Sequence, residues 1–210
     1  MVNRVLLYHI THLENLASIL QKGELMAHSK VNAGQLNYND IAHHDIQSRR
    51  STTSIDIAPY GILHDYVPFY FAPRSPMLYT IKNGNVKGFY GDQSDIIYLI
   101  SDVVQIVQSG RKFVFTDGHA IMALTEFYND LSYLNKIDWE VMKSKYWFDT
   151  DDFPDRKRRR QAEFLVKGSL PLKHFLGIGV YNDQVKQKVN EILDAYNTEM
   201  EVRVRPSFYY

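Results

Sequence analysis

The chain has 210 residues, of which 45% are hydrophobic and 23% charged, and its 24 basic side chains balance 24 acidic ones. This length and composition predict a soluble globular protein with a sizeable core. The absence of cysteine excludes disulfides, zinc-thiolate sites and cysteine nucleophiles, and zero net charge means that any nucleic-acid binding depends on local cationic patches.

The beginning of the chain has no long apolar stretch, because Arg4, His9, His12 and Glu14 interrupt its hydrophobic residues. It therefore lacks the apolar centre of a signal peptide and the length of a membrane span. We expect a cytoplasmic protein with no membrane partner. No internal repeat or low-complexity tract is visible, so a single domain is expected over residues 1–210.

The first predicted elements are a strand over residues 4–10 and the helix that follows it. Thr11 and Glu14 have the spacing of a capping box, so Thr11 is expected to begin this helix, and Gly23 is expected to end it. Taken alone, Thr11 needs no role beyond the cap, and His9 needs none beyond that of a satisfied core histidine.

Three further segments are predicted before residue 62: a polar loop over 32–39, a short helix over 41–50 and a mobile loop over 51–61. The helix ends in Arg49 and Arg50, and cations at a helix C-terminus are favoured by its dipole, so their default role is structural. His43 and His44 lack metal-ligand spacing to any second cluster. We therefore expect no metal site.

The rest of the chain alternates strands, turns and short helices. The predicted elements are strands over 66–71, 95–101, 112–116, 178–181 and 201–205, a proline-framed turn over 72–78, and helices over 121–131, 138–146 and 183–196, the last capped by Asn182. Pro68 has no N–H for a ladder and is expected at an edge or strand start. Short strands with inserted helices favour an α+β fold over a doubly wound parallel sheet.

The strongest change in composition is an aspartate-rich stretch over residues 148–154 followed by a cationic run that ends in Arg158, Arg159 and Arg160. Such a switch is typical of an exposed connection. Two interpretations stay open: a solvated loop that neutralises itself, or a segment that faces nucleic acid.

Glu163 lies in the strand that follows this connection. Side chains alternate along a strand, so Ala162, Phe164 and Val166 face one way while Gln161 and Glu163 face the other. A carboxylate in such a strand is either a partly solvated charge, the partner of a nearby arginine, or a catalytic group in a cleft.

The sequence lacks the motifs of several enzyme classes. No GxGxxG, P-loop or GxSxG sequence is present. A metal-dependent nuclease is disfavoured because Lys167 lies four residues beyond Glu163 rather than two. The remaining residues are a carboxylate, arginines and aromatic rings, with no metal. Such a set is suited to a reaction in which a sugar loses a positively charged leaving group. The transition state of that reaction resembles an oxocarbenium ion.

Five sequence blocks, in order, resemble the DarT toxins, which are DNA ADP-ribosyltransferases of toxin-antitoxin systems. The blocks are Tyr8-His9-Ile10-Thr11-His12, Ile46-Gln47-Ser48-Arg49-Arg50, residues 64–78, residues 113–119, and Gln161-Ala162-Glu163-Phe164-Leu165-Val166. The resemblance covers nearly the whole chain. It implies the ADP-ribosyltransferase fold, an α+β fold with split mixed β-sheets, inserted helices and NAD+ in the central cleft.

The resemblance also implies site residues. Glu163 and Arg50 are expected to be catalytic, with Arg50 near the acceptor base. Residues expected to bind NAD+, the co-substrate, are His9, Thr11, Tyr70 and Met77, although either tyrosine of the 66–70 strand could stack on nicotinamide. Residues expected to contact DNA are His119, Arg158, Arg159 and Gln161, within a segment that selects the acceptor.

The implied reaction is mono-ADP-ribosylation of a base in single-stranded DNA, most often thymine, by the toxin of a toxin-antitoxin pair. The implied partners are single-stranded DNA and a DarG-type macrodomain antitoxin that removes the modification. Alternatives left open are guanine in DNA, RNA or protein as the acceptor, and a non-catalytic nucleic-acid-binding module that uses the 156–160 cations.

Overall fold

The computed structural model describes residues 4–33, 38–42, 44–86 and 89–210. Its α-helices are α1 (Asn15–Lys22), α2 (His28–Ala33), α3 (His44–Arg50), α4 (Pro76–Lys82), α5 (Val103–Gln108), α6 (Trp139–Lys143), α7 (Arg156–Arg160) and α8 (Asp183–Ala195). Residues 34–37 of the predicted 32–39 loop, and His43, lie outside the described residues.

The strands are β1 (Leu6–His12), β2 (Glu24–Met26), β3 (Ser54–Ile55), β4 (Gly61–Ile62), β5 (Tyr66–Tyr70), β6 (Ile96–Asp102), β7 (Phe113–Thr116), β8 (Phe127–Tyr128), β9 (Glu163–Lys167), β10 (Ser169–Pro171), β11 (Gly177–Val180) and β12 (Val202–Val204). Short 3₁₀ helices occur at Leu63–Asp65, Gln93–Asp95, Leu131–Lys136, Leu172–His174 and Pro206–Phe208.

In the described part of the chain, eight strands form a sheet in the order β12-β11-β6-β1-β5-β9-β7-β8. Only the β11–β12 pair among these is parallel, so the sheet is mixed. Two small antiparallel pairs, β2 with β10 and β3 with β4, lie outside it. The predicted α+β class is confirmed.

The large sheet nearly divides between β1 and β5. β1 pairs with β6 along its whole length, from Leu6 to His12, but it pairs with β5 only where Tyr8 lies opposite Tyr70. Away from that pair, the His9 ring crosses the gap, and its Nδ1 donates to the Pro68 carbonyl over 2.8 Å. This opening forms one wall of a cavity that both His9 and Pro68 line.

Pro68 lies in an interior strand, so the prediction of an edge or strand start is wrong. The carbonyl of Pro68 points toward β1, and its nitrogen points the same way because the two groups of one residue share a side of an extended strand. The missing N–H therefore faces the gap, where β5 has no ladder partner. Proline is tolerated here for the same reason as at an edge.

The two faces of the sheet carry different apolar clusters. One face packs against α1 and α8 in a large cluster that includes Leu7, Phe69 and Phe164. The other face carries a cluster around Tyr8 with α4 and a separate cluster around Leu165. Burying a side chain such as Phe164 contributes roughly 1.5–3 kcal/mol, so these clusters fix the strands that carry the site.

Most predicted elements are confirmed within one or two residues of their ends. Gly23 ends α1 in the left-handed conformation at φ 69°. Asn182 caps α8 by accepting from the Val185 N–H, and Asp138 caps α6. No helix in the described ranges combines the length and apolar character that a membrane crossing needs.

Four further local predictions are wrong. Thr11 does not cap α1; it remains in β1, and its Oγ1 accepts from Asn15 Nδ2 at 3.0 Å. The predicted loop over 51–61 contains β3 and the first residue of β4, which pair with each other. The predicted turn over 72–78 already includes the start of α4, which Ser75 caps. The predicted helix over 121–131 consists of turns and β8.

Candidate active site

Glu163 is the first residue of β9 and lies directly opposite Tyr70 of β5. Only 3% of the residue is exposed. Ala162, Phe164 and Val166 belong to the large core on the opposite face, as the strand alternation predicts. Because β9 is an interior strand, Glu163 is not a solvated edge charge. Its carboxylate borders a cavity of about 720 Å³.

Both oxygens of the Glu163 carboxylate have partners. Arg50 Nη1 donates to Oε2 at 2.8 Å, and the Ala120 N–H donates to Oε1 at 3.2 Å. His119 Nδ1 lies 3.4 Å from Oε1. Burial by itself would raise the pKa of Glu163, but Arg50 and His119 outweigh it and lower that pKa to about 2. Glu163 is therefore an anion at neutral pH.

Arg50 is the last residue of α3 and is itself buried. Its Nη2 is also buried and has no hydrogen-bond partner among the described residues. The guanidinium thus uses one nitrogen to bind Glu163 and leaves a second one free in a closed environment. Buried donors normally have partners, so Nη2 is suited to an oxygen atom of a ligand.

Arg49 makes a different contact from its neighbour Arg50. Its Nη2 donates to the Ile121 carbonyl at 2.8 Å, and the residue is exposed rather than buried. α3 therefore directs two successive arginines to two parts of one site: Arg50 to the carboxylate and Arg49 to the loop that follows β7.

The loop over residues 117–126 replaces the predicted helix and brings His119 and Ala120 to Glu163. Thr116 precedes it, and the Thr116 Oγ1 accepts from the Glu163 N–H at 3.0 Å and donates to the Gly118 carbonyl at 2.7 Å. The Glu126 N–H, which a helix over 121–131 would direct to the Met122 carbonyl, donates to Asp117 Oδ1 at 3.0 Å instead.

The expected NAD+-binding residues line the same cavity: His9, Thr11, Tyr70 and Met77. Tyr70 Oη donates to Met77 Sδ at 3.7 Å, and burial raises the pKa of Tyr70. Burial lowers the pKa of His9 to about 4, so its ring is neutral at pH 7. Tyr66 donates to the Tyr60 carbonyl instead. Tyr70 is therefore the tyrosine of β5 that lies beside Glu163.

The expected DNA-binding residues occupy different environments. His119 contacts Glu163, and Gln161 borders the cavity while donating to the Lys157 carbonyl at 3.0 Å. The Arg159 side chain is 44% exposed and pairs with Asp138, whereas that of Arg158 is 11% exposed and pairs with acidic residues on two sides. Those pairings match the self-neutralising interpretation, and the DNA contacts stay predictions.

The chain matches the family model described as ssDNA thymidine ADP-ribosyltransferase, DarT, over residues 8–210. The chain belongs to the DarT family. A relative from Thermus sp. (strain 2.9), named DNA ADP-ribosyl transferase, is 39% identical over 206 residues, which are 97% of this chain and 95% of the relative. DarT proteins are DNA ADP-ribosyltransferases, and this chain is an enzyme of that class.

Two solved structures of Thermus sp. 2.9 DarT superpose on this DarT chain. The complex with ADP-ribosylated ssDNA has a TM-score of 0.91 at 37% identity and covers 98% of this chain and 96% of the other. The complex with NAD+ has a TM-score of 0.87 at 36% identity and covers 98% of both chains. The chain has the ADP-ribosyltransferase fold, as its sequence blocks predicted.

A further DarT relative joins two activities in one chain. The Thermosipho africanus protein is named a DNA ADP-ribosyl transferase-DNA ADP-ribosyl glycohydrolase fusion protein. It is 26% identical over 205 residues, which are 97% of this chain and 49% of the fusion. This chain thus aligns with about half of that protein.

Two polar residues of this DarT cavity, Gln47 and His64, were given no role by the sequence-based predictions. Gln47 Nε2 donates to Asp40 Oδ2 at 2.9 Å, and His64 Nε2 donates to Gln47 Oε1 at 3.0 Å. Burial, His28 and Arg50 lower the pKa of His64 to about 4. Gln47 and His64 both occur in the sequence blocks shared with the family, and this was the signal by which they could have been found. Their contact could not be predicted, because it joins separate segments of the chain.

The described residues contain no group of three or more histidine, aspartate or glutamate side chains placed to hold a metal ion. The expectation of metal-independent chemistry stays a prediction.

Proposed function

We propose that this chain transfers ADP-ribose from NAD+ to a thymine base in single-stranded DNA and releases nicotinamide. The observation that carries the proposal is the buried, ionised Glu163, which shares a cavity with Arg50, whose Nη2 is free. An anion in a closed cavity is suited to stabilise a developing cation. The NAD+ and ADP-ribosylated ssDNA complexes of the Thermus relative support the same co-substrate and acceptor class.

NAD+ is proposed to bind between β1 and β5, within one ADP-ribosyltransferase domain that comprises residues 1–210. His9 and Thr11 of β1 border the cavity at the gap in the sheet, and Tyr70 and Met77 border it near Glu163. We assign the nicotinamide ring to the Tyr70 side, because aromatic faces pack well against planar groups. That position puts the bond to be broken close to the carboxylate.

The proposed reaction exchanges one C–N bond for another. The bond between the ribose and nicotinamide breaks, and nicotinamide leaves as a neutral molecule with the bonding electron pair. The ribose carbon gains oxocarbenium character, which Glu163 stabilises by its charge and by binding a ribose hydroxyl. The thymine imide nitrogen then bonds to that carbon and loses its proton.

Arg50 is proposed to act on the thymine rather than on NAD+. A guanidinium has a pKa above about 12 and is not a base at neutral pH, but it can stabilise negative charge on the thymine oxygens. Its Nη2 is the free donor for that contact. Because the pKa of Glu163 is about 2, this carboxylate is a weak proton acceptor, and we assign the imide proton to water.

The DNA strand is proposed to approach along the side that His119 and Gln161 border, with cations of α7 near its phosphates. Arg159 is the most exposed arginine of the expected set and the best placed of them for a phosphate contact. Removing one such contact lowers the salt dependence of single-strand binding by about 0.7 in log–log slope.

We further propose that the chain is a cytoplasmic toxin whose partner is a DarG-type macrodomain antitoxin. The glycohydrolase half of the Thermosipho fusion supports this pairing, because that half is named for removal of ADP-ribose from DNA. A separate macrodomain protein would then reverse the modification made by this chain.

Mass spectrometry tests the proposal directly. The protein is incubated with NAD+ and four single-stranded oligonucleotides. These differ only in the base at one test position, which is adenine, cytosine, guanine or thymine. We expect a mass increase of one ADP-ribose on the thymine oligonucleotide and none on its double-stranded form. An increase confined to guanine, to RNA or to the protein itself would replace the proposed acceptor, and no nicotinamide release under any condition would contradict the proposed reaction.

A further inference from the structure

Arg158 has all three of its guanidinium nitrogens engaged within the chain. Nε and Nη2 donate to the two carboxylate oxygens of Asp155 at 2.7 and 2.8 Å. Nη1 donates to Asp117 Oδ1 at 3.1 Å and to Thr125 Oγ1 at 3.2 Å. A bidentate pair combined with two further acceptors fixes the guanidinium in one plane. Little of it is left for a phosphate.

The partners of Arg158 are the residues that shape the loop over 117–126. Asp117 Oδ1 also accepts from the Glu126 N–H at 3.0 Å, which closes the base of the loop. Thr125 Oγ1 donates to the His119 carbonyl at 2.8 Å. The backbone contributes as well, since the His119 N–H donates to the Arg158 carbonyl at 3.0 Å.

Gly118 shows how closely the guanidinium lies on this loop. A Cβ built on Gly118 would come within 2.2 Å of Arg158 Nη1. With any other residue at this position, the guanidinium would have to shift from its present place. The loop and the arginine are therefore fitted to one another immediately before His119.

From these contacts we propose that Arg158 is a positioning residue, which fixes the 117–126 loop so that His119 and the Ala120 N–H meet Glu163 Oε1. The inference rests on the proposed function, and it assigns Arg158 a task other than the predicted contact with DNA phosphate. Asp155 anchors the guanidinium to α7, and Asp117 connects it to the loop. We call these contacts of Arg158 with Asp155 and Asp117 the clasp.

Two variants separate positioning from phosphate binding. Arg158→Met removes the charge and the clasp, whereas Asp117→Asn weakens the clasp and keeps the arginine charge. If Arg158 positions the loop, both variants lower kcat by roughly 10- to 100-fold, because small displacements of catalytic groups are costly. Both also leave oligonucleotide affinity and its salt slope unchanged. If Arg158 is a phosphate ligand, Arg158→Met reduces the slope by about 0.7 and Asp117→Asn does not weaken binding.

The pH profile is a second readout, compared only over the pH range in which each variant is folded. Glu163 is faced by Arg50 from α3, by His119 and the Ala120 N–H from the loop, and by Tyr70 from β5. Losing the loop contacts while Arg50 stays should raise the pKa of Glu163, so the acid limb of kcat should move up by as much as about one pH unit. Arg159→Met is the comparison variant at the neighbouring position. It should change the salt slope of oligonucleotide binding but not the acid limb of kcat.

Nicotinamide release from NAD+ without DNA is measured in parallel, with thermal unfolding to establish that each variant is folded. If the wild type releases nicotinamide but modifies no oligonucleotide, the proposed acceptor fails while the positioning role is still tested by this hydrolysis. Folded Arg158→Met and Asp117→Asn proteins with wild-type kcat and an unshifted acid limb would overturn the inference.

Discussion

Arg50 Nη1 and Glu163 Oε2 form a buried ion pair over 2.8 Å, although the two residues are 113 positions apart in the chain. The pair joins the end of α3 to the beginning of β9. It keeps the carboxylate ionised and leaves Arg50 Nη2 free beside it. An anion for the sugar and a donor for the acceptor base are therefore parts of one unit.

Replacing Glu163 by glutamine should remove the charge and keep the shape. Losing one preorganised electrostatic contact typically costs on the order of 10²–10³ in rate. NAD+ affinity should change little. The measurement is nicotinamide release and DNA modification beside NAD+ titration, with Glu191→Gln on the solvent face of α8 as the matched control. A Glu163→Gln protein with near wild-type turnover would remove Glu163 from the mechanism.

Arg50→Ala should abolish transfer to DNA while NAD+ still binds, because Arg50 is proposed to act on the acceptor base. Arg49→Ala should reduce activity less, since it removes only the contact to the Ile121 carbonyl. Steady-state transfer, NAD+ affinity and oligonucleotide affinity are compared at two salt concentrations, with the exposed Arg203→Ala as a remote control. Equal, salt-sensitive binding defects in the Arg49 and Arg50 variants would instead indicate that both contact phosphate.

Stability should fall in acid because of Glu163. Its pKa is lowered from 4.5 in the unfolded reference to about 2 in the folded protein. A lowered pKa contributes stability above the unfolded value, and this contribution, of a few kcal/mol, is lost as the pH falls from about 4.5 through about 2. Urea unfolding across this range should show a steeper loss for the wild type than for Glu163→Gln. Parallel pH dependences would contradict the assignment.

Chelation should leave the activity intact. The chemistry proposed here uses side chains and NAD+ alone, and metal binding would need ligand clusters that the sequence does not indicate. Transfer is measured after extensive EDTA treatment and again after magnesium is added back. Loss with EDTA and recovery with magnesium would point to the nuclease-like alternative that the Glu163–Lys167 spacing disfavoured.

The sequence predicted the local features of the site better than the contacts between its distant segments. The alternation around Glu163 follows from the two-residue period of a strand and is confirmed. The contact between Arg50 and Glu163 could not be inferred from spacing, since it depends on how α3 packs over the sheet. The family blocks indicated both residues without indicating that they touch.

Two failed predictions have the same physical origin. The apolar pattern over 121–131 predicts a helix, but the Glu126 N–H within it donates to Asp117 Oδ1, which also accepts from Arg158. Pro68 predicts an edge strand, but its position faces the gap between β1 and β5. In both cases the backbone departs from the local rule at the site itself, where tertiary contacts override propensity.

The central claim is most directly tested with one pair of oligonucleotides. Each is a single strand with one thymine, and in the second strand that thymine carries a methyl group on its imide nitrogen. After a single turnover with NAD+, mass spectrometry should show one ADP-ribose on the first strand and none on the second, and the Glu163→Gln protein should modify neither at a comparable rate. Equal modification of both strands would contradict transfer to the thymine imide nitrogen.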